Sequence, residues 1–331
     1  MPSFKPESIR KFLKVWSKLA LNIRMRDRLV KVIQYGCQMI IGYYSVQLTQ
    51  KLKNGLMETR RFSSNARKAF WLLKALSHLN TCVTQFESGI LHQGTLADKF
   101  DFAEQTFLAI YFFLENFVYF IRSQLLPMSE DSIDFYVNAS WFGADLSAFI
   151  SCILRLQYNS AQLKEANQIQ LCLHEESVIA EVDNALGLVT TIPDNNFNNN
   201  NSNDNIMVNK EITLCKCPPA IREKVRANPD IHQQMVNQQL ISKLEEKQRS
   251  LQLVFGINLF ELLVSCHYVG LYRSVLRVNF TDGPVGMWGV ASSVLILYEG
   301  TLNVLQEVRQ EEAKQTAVAV AVAEQQKKKN V

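Results

Sequence analysis

The side chains able to do chemistry are few and poorly placed for it. His78, His92, His174, His232 and His267 stand in unrelated contexts, and no Ser or Cys sits in a nucleophile motif. Seven cysteines are scattered along the chain. Cys215 and Cys217 form a close pair, but no second pair or spaced histidines follow to complete a zinc site. Such cysteines read as small apolar residues in a reducing compartment. "GPVGMWG" carries Gly283, Gly286 and Gly289, yet it follows no strand pattern and holds no lysine, so it is no phosphate loop. Glycines one helical turn apart permit close helix packing instead, as in membrane dimer interfaces. The expectation is a protein that is not an enzyme, with no catalytic residue, metal or cofactor.

What remains is charge and apolar patterning. The net charge is only +4 over 331 residues, but the first 80 carry sixteen Lys and Arg against three acids, leaving −9 on the rest. A basic end of that kind suits an anionic partner, either nucleic acid or a phospholipid surface. No helix-turn-helix, zinc-finger or stacking-platform pattern supports nucleic acid. The opening "MPSFKPESIRKFLKVW" lacks the apolar core of a signal peptide, which argues for a protein facing the cytosol.

The elements that position these charges read as helices. Phe12, Val15, Trp16 and Leu19 recur at helical spacing. A second helix is expected from about Asp27, whose carboxylate suits a first turn, to about Leu48, and "KNG" at 53–55 reads as a turn. "NARKAFWLLKALSHL" (65–79) predicts a third helix, with Ser63 or Ser64 as its N-cap. On a helical wheel Arg67, Lys74 and His78 share one strip, while Phe70, Leu72, Leu73, Leu76 and Leu79 spread over the opposite arc, with Trp71 beside the basic strip. Taken alone, such a helix more often docks its leucines on neighbouring helices. Laid on a membrane, each cation near an anionic surface contributes about 1 kcal/mol and each buried Phe or Leu about 1.5–3 kcal/mol.

Further on, a loop holding Gly89 and Gly94 leads to an apolar segment ending at Pro127, and another apolar helix is expected over Trp141–Tyr158. Residues 159–229 read as a polar, largely flexible insert, Asn-rich at 195–205. A long helix and an apolar hairpin fill 230–310, with its turn at 280–284, and 311–331 reads as a fraying helical tail. Thr106–Ile121, Leu253–Tyr272 and Val285–Tyr298 each fall short of a clean membrane span, being charged or too brief. The fold expected is all-α: a membrane-associated helical bundle with in-plane amphipathic helices and a C-terminal apolar helical hairpin. Residues 1–158 form its basic region of amphipathic and apolar helices.

Several stretches together resemble the peroxin-11 family of peroxisome-proliferation membrane proteins. They are "RMRDRLVKVIQYG" followed by "ARKAFWLLKALSHL", then "AIYFFLENFVYFIRSQLL", where Glu115-Asn116 replaces the family's usual Asp-Asn, and "WFGADLSAFISCILRLQY". "LVFGINLFELLVSCHYVGLY" and "GPVGMWGVASSVLILYEG" complete the likeness. The resemblance implies a peroxisomal membrane protein with its N-terminal region in the cytosol, elongating the organelle before a dynamin-like GTPase divides it. It implies an anionic phospholipid membrane and further copies of the chain as partners. The helix 65–79 then lies on the membrane, with Arg67, Lys68 and Lys74 on headgroups, Phe70, Leu73 and Leu76 as the wedge, and Trp71 at the boundary. Lys68 sits on the apolar side of the wheel and has to snorkel. Lys328 and Lys329 resemble a dilysine coat-protein signal, the alternative being a solvated lysine tail. Two other functions stay open. One is a pore for small metabolites, with Glu115, Glu261 and His267 on a water path, and the other a soluble helical adaptor.

Overall fold

The computed structural model describes residues 13, 15–19, 22–72, 74–190, 231–275, 277–278 and 280–329, with side chains at all of these but 24, 174–190, 231–236, 315–316 and 318–329. Leu73, Cys215, Cys217 and the Asn-rich stretch lie outside them. Lys328 and Lys329 end a helix, but their side chains also fall outside. The helices are α1 (Ile23–Tyr44), α2 (Gln50–Phe70), α3 (Lys74–Glu87), α4 (Ile90–Gln93), α5 (Leu96–Arg122), α6 (Asp131–Thr190), α7 (Ile231–Tyr268), α8 (Leu271–Ser274) and α9 (Asp282–Lys329). No strand occurs among the described residues, so the fold is all-α.

Local chemistry explains several boundaries. Thr95 starts α5 with a capping box: its hydroxyl accepts from the Asp98 N–H, and the Asp98 carboxylate accepts from the Thr95 N–H at 3.0 Å. The Thr49 hydroxyl caps α2 by accepting from the Leu52 N–H. Once capped there, α2 runs straight through Lys53-Asn54-Gly55, where a turn is expected from sequence. A single helical glycine costs only about 1 kcal/mol, and the Gln50 amide donates to Asn54 across one turn. Ser63 and Ser64 are therefore inside α2 rather than N-caps. The single helix expected over 65–79 is two helices, with the chain turning at Trp71–Leu72. α1 starts at Ile23, four residues before Asp27. Of the turn expected at 280–284, Phe280 and Thr281 precede the helix, while Asp282–Pro284 belong to the first turn of α9, where Asp282 favours the helix N-terminus and Pro284 is tolerated.

The chain divides into two compact units, residues 1–155 with 251–331, and residues 156–250. In the larger unit α1 lies against α9 along a row of small residues. A Cβ on Gly286 would fall 2.4 Å from the Met39 backbone nitrogen, one on Gly289 2.3 Å from the Tyr35 ring, and one on Gly42 2.0 Å from the Gly283 nitrogen. The glycines expected to serve helix packing thus meet α1 of the same chain, rather than a second copy. Tyr35, Val264 and Val285 form one core where α1, α7 and α9 meet, and Met25 packs on Val304 and Val308 lower down α9. A third core joins α3, α5 and α6 through Ala75, Tyr111, Phe112, Val118 and Val137. Cys37, Cys82, Cys152 and Cys266 are buried free thiols, whereas Cys172 is disulfide-bonded, a correction to its reading as a small apolar residue.

The smaller unit contains helix where a flexible insert is expected, since α6 continues past Tyr158 to Thr190. Its two stretches run antiparallel. The Asn159 amide donates to the Leu244 carbonyl and to Gln248, and the Asn237 amide donates to the Ala166 carbonyl and to Gln170. Asn159, Ala166 and Leu173 are buried at seven-residue intervals, as are Asn237 and Leu244. Buried asparagines at such positions fix coiled-coil register at some cost in stability.

Asp131–Leu173, Asn237–Tyr268 and Asp282–Lys314 are each long and apolar enough to cross a membrane. This corrects the expectation that no clean span is present. The full helices extend well beyond the apolar windows seen in sequence, and Thr106–Ile121 is not among them. Gly286→Val should lower the melting temperature of the detergent-solubilised protein and cost about 3 kcal/mol or more, because the new side chain meets backbone. Gly55→Ala, which meets nothing within 4 Å, should raise it slightly. Circular dichroism melts of both variants check the contrast.

Candidate functional site

Burial of charge dominates the larger unit. Asp27 and Arg28 share one turn of α1 and Lys31 follows on the next; Asp27 faces α2, while Arg28 and Lys31 both face α7. Lys31 is 2% exposed and its ammonium donates to the Glu261 carboxylate of α7 at 2.6 Å. Arg28 Nη1 reaches the same carboxylate at 3.5 Å. Burial lowers the Lys31 ammonium to about 8, against the pull of Glu261. Arg67 of α2 returns to α1, donating from Nε to Asp27 at 3.0 Å and from Nη1 to Gln34 at 2.8 Å. Lys68, the next residue, pairs with Glu115 of α5. Its ammonium is pushed below its ordinary value by burial.

These pairs stand around a cavity of about 1280 Å³ bounded by α1, α2, α3, α5, α6, α7 and α9. Its lining runs from exposed Glu58 and Arg61 to buried Lys31, Tyr111 and Glu115. Aromatic rings form one wall, with Tyr111 6.2 Å from Trp141 and Trp141 5.6 Å from Tyr268. Glu104 also lines it, and burial beside Asp101 raises its carboxyl to about 7. Among the described residues no three His, Cys, Asp or Glu side chains gather in metal-binding geometry.

The residues expected to contact lipid fall into two groups. Arg67 and Lys68 are buried in the ion pairs above, and Trp71 caps α2 with its ring edge-on to Phe112 at 5.4 Å. The Arg67 guanidinium lies 4.5 Å from the Trp71 ring, and the Lys74 ammonium 4.2 Å from that of Phe112. This placement differs from one facing headgroups. A charge already compensated inside the bundle is turned toward its partner carboxylate. Phe70 and Leu76, by contrast, are exposed. So are Leu79, Val83 and Phe86, and with Leu76 they fall within an arc of about 80° on α3 at ~100° per residue. The adjacent face of α3, Ala75 and Cys82, packs on α5, with Cys82 3.7 Å from the Thr106 hydroxyl.

Sequence reading missed Asp27 as the partner of Arg67, and Val83 and Phe86 as part of the apolar strip. The signal for a buried pair was present in Lys68, a cation on the apolar side of its helix, and in Glu115, an acid within an apolar run. Of the three ionisable groups expected on a water path, Glu115 and Glu261 line the cavity and His267 does not.

The family model described as peroxisomal biogenesis factor 11 matches residues 13–300. No curated protein and no solved structure matches the chain.

Because the folded state holds the Glu104 proton more tightly than the unfolded chain, its contribution is full below about pH 4.5 and is lost as pH rises to about 7. Relative to Glu104→Gln, the wild-type protein should lose about 3 kcal/mol between pH 4.5 and 7. Denaturant melts of both proteins across that range test the slope.

Proposed function

Because this chain belongs to the peroxisomal biogenesis factor 11 family, we propose that it elongates the peroxisomal membrane, without catalysis, by inserting an amphipathic segment into the cytosolic leaflet. It is a peroxisomal biogenesis factor associated with the peroxisomal membrane, and three of its helices are long and apolar enough to span one. The observation that carries the mechanism is the bare strip Leu76, Leu79, Val83 and Phe86, exposed by 49–64% and parallel to the axis of α3. An isolated exposed leucine needs no explanation, but a strip of four on one helix face does. Wedging such a strip below the headgroups expands one leaflet and favours curvature. Phe70 and Leu76 of the segment 65–79 join the wedge, with Leu73 between them in sequence. The basic N-terminal region faces the cytosol and draws the protein onto anionic lipid. Several copies act together, and the elongated membrane recruits a dynamin-like division machinery.

A second reading has its own observation. The cavity beside Lys31, Glu115 and Glu261 is polar inside a membrane-associated bundle, as a path for small metabolites requires.

Leu79→Glu with Phe86→Glu should leave the bundle folded, because both side chains are exposed, and should weaken membrane insertion about a hundredfold. Electron microscopy of anionic vesicles carrying the full-length protein should show tubules with wild type and none with the double variant. Tubules that persist would sink the wedge. Planar-bilayer conductance that the double variant retains would favour the pore.

A further inference from the structure

The residues that an anionic surface would attract are held inside the bundle, and the helix that would lie on that surface is bent. Arg67 is bolted to Asp27 and Gln34 on α1, Lys68 to Glu115 on α5, and Trp71 to Tyr111 and Phe112 on α5. All three fall within the last turn and cap of α2. The break follows at once: the Trp71 N–H bonds to the Arg67 and Lys68 carbonyls, the Lys74 N–H bonds to the Trp71 carbonyl, and α3 leaves along α5. Yet the apolar spacing over 65–79 is that of one uninterrupted helix, with no Gly or Pro to stop it. Tertiary contacts, rather than local propensity, impose the bend.

We propose that the Asp27–Arg67 and Glu115–Lys68 ion pairs form a latch that keeps this segment bent, and that an anionic membrane surface opens it by competing for the two cations. On opening, α3 leaves α5, α2 and α3 join into one in-plane helix, and its cations meet phosphate instead of carboxylate. The latch rests on the remodelling reading, of which it is the control. It makes insertion depend on lipid charge, because a buried cation leaves its carboxylate only when another anion replaces it.

Cys82 is a native reporter, buried between α3 and α5, while Cys152 is buried where α6 meets the Leu251 carbonyl of α7, on helices that the latch does not release. Maleimide labelling of the full-length protein, read by peptide mass spectrometry, is compared in neutral and anionic vesicles. Cys82 of the wild type should label about tenfold faster in anionic vesicles, with Cys152 unchanged. Glu115→Gln leaves Lys68 without a counter-charge, so Cys82 should label about a hundredfold faster even in neutral vesicles. Lys68→Glu with Glu115→Lys restores the pair with its signs reversed, so labelling should be slow in neutral vesicles.

A wild-type Cys82 that labels equally slowly in both vesicles overturns the latch. So does a Glu115→Gln protein as protected as wild type. If Glu115→Gln also exposes Cys152, that variant has loosened globally and the wild-type lipid comparison alone decides. Tubulation with Cys82 protected removes the latch and leaves the remodelling reading standing. Charge-dependent Cys82 exposure without tubulation does the reverse.

Discussion

A charge taken out of water must be met by an opposite charge, and in this protein that constraint falls on α1. Lys31 is almost wholly buried and faces Glu261, with Arg28 beside the pair. Asp27, one turn earlier, holds Arg67 of α2. These contacts tie α1 to α7 on one side and to α2 on the other. The third side has glycines of α9, against which Tyr35 and Met39 lie, with the Gln38 amide donating to Asp282 beside them. Removing one member of a buried pair costs about 3–5 kcal/mol, chiefly because its partner is left alone. Each neighbour of α1 is therefore specified by what it meets there, a counter-charge toward α7 and α2 and close backbone approach toward α9.

The third helix shows how one amphipathic pattern serves two surfaces. Ala75 and Cys82 are small and lie on the face packed against α5. Leu76, Leu79, Val83 and Phe86 are larger, lie on the neighbouring face and remain bare. An ordinary core-facing helix places its largest apolar side chains inward. Here the small residues allow close approach to α5, while the large ones are left for another medium. The arrangement fits a protein of the peroxisomal membrane whose surface is built to be covered by lipid.

In the unit formed by residues 156–250, polar contacts set the register in which Ala166, Leu173 and Leu244 are buried. Asn159 and Asn237 each donate to a backbone carbonyl of the facing helix and to a glutamine one turn beyond it. Two equivalent clasps, one from each helix, leave a single antiparallel register, because a slip of one residue would orphan both amides. The cost in stability is the usual one for polar groups at such positions.

Much of this was legible in one dimension. Helical periodicity was sufficient for an all-α fold, because it depends only on spacing, and the quoted motifs in their order carried the resemblance to the family. Lys68 and Glu115 were each visible as charges in apolar surroundings. Their pairing was not, since 47 residues of chain separate them and only the packing of α2 on α5 brings them together. The bend at Trp71–Leu72 was invisible for the same reason: local propensity favours a continuous helix there, and the competing contacts come from α1 and α5. The seven-residue spacing of Asn159, Ala166 and Leu173 was present but hidden in a polar composition that reads as flexible. What sequence determined by itself was that the chain is helical and which faces of its helices are apolar, because those follow from neighbours a few residues away. Which of those faces is buried and which left bare was decided by tertiary structure alone, because a side chain's exposure depends on what distant helices place against it.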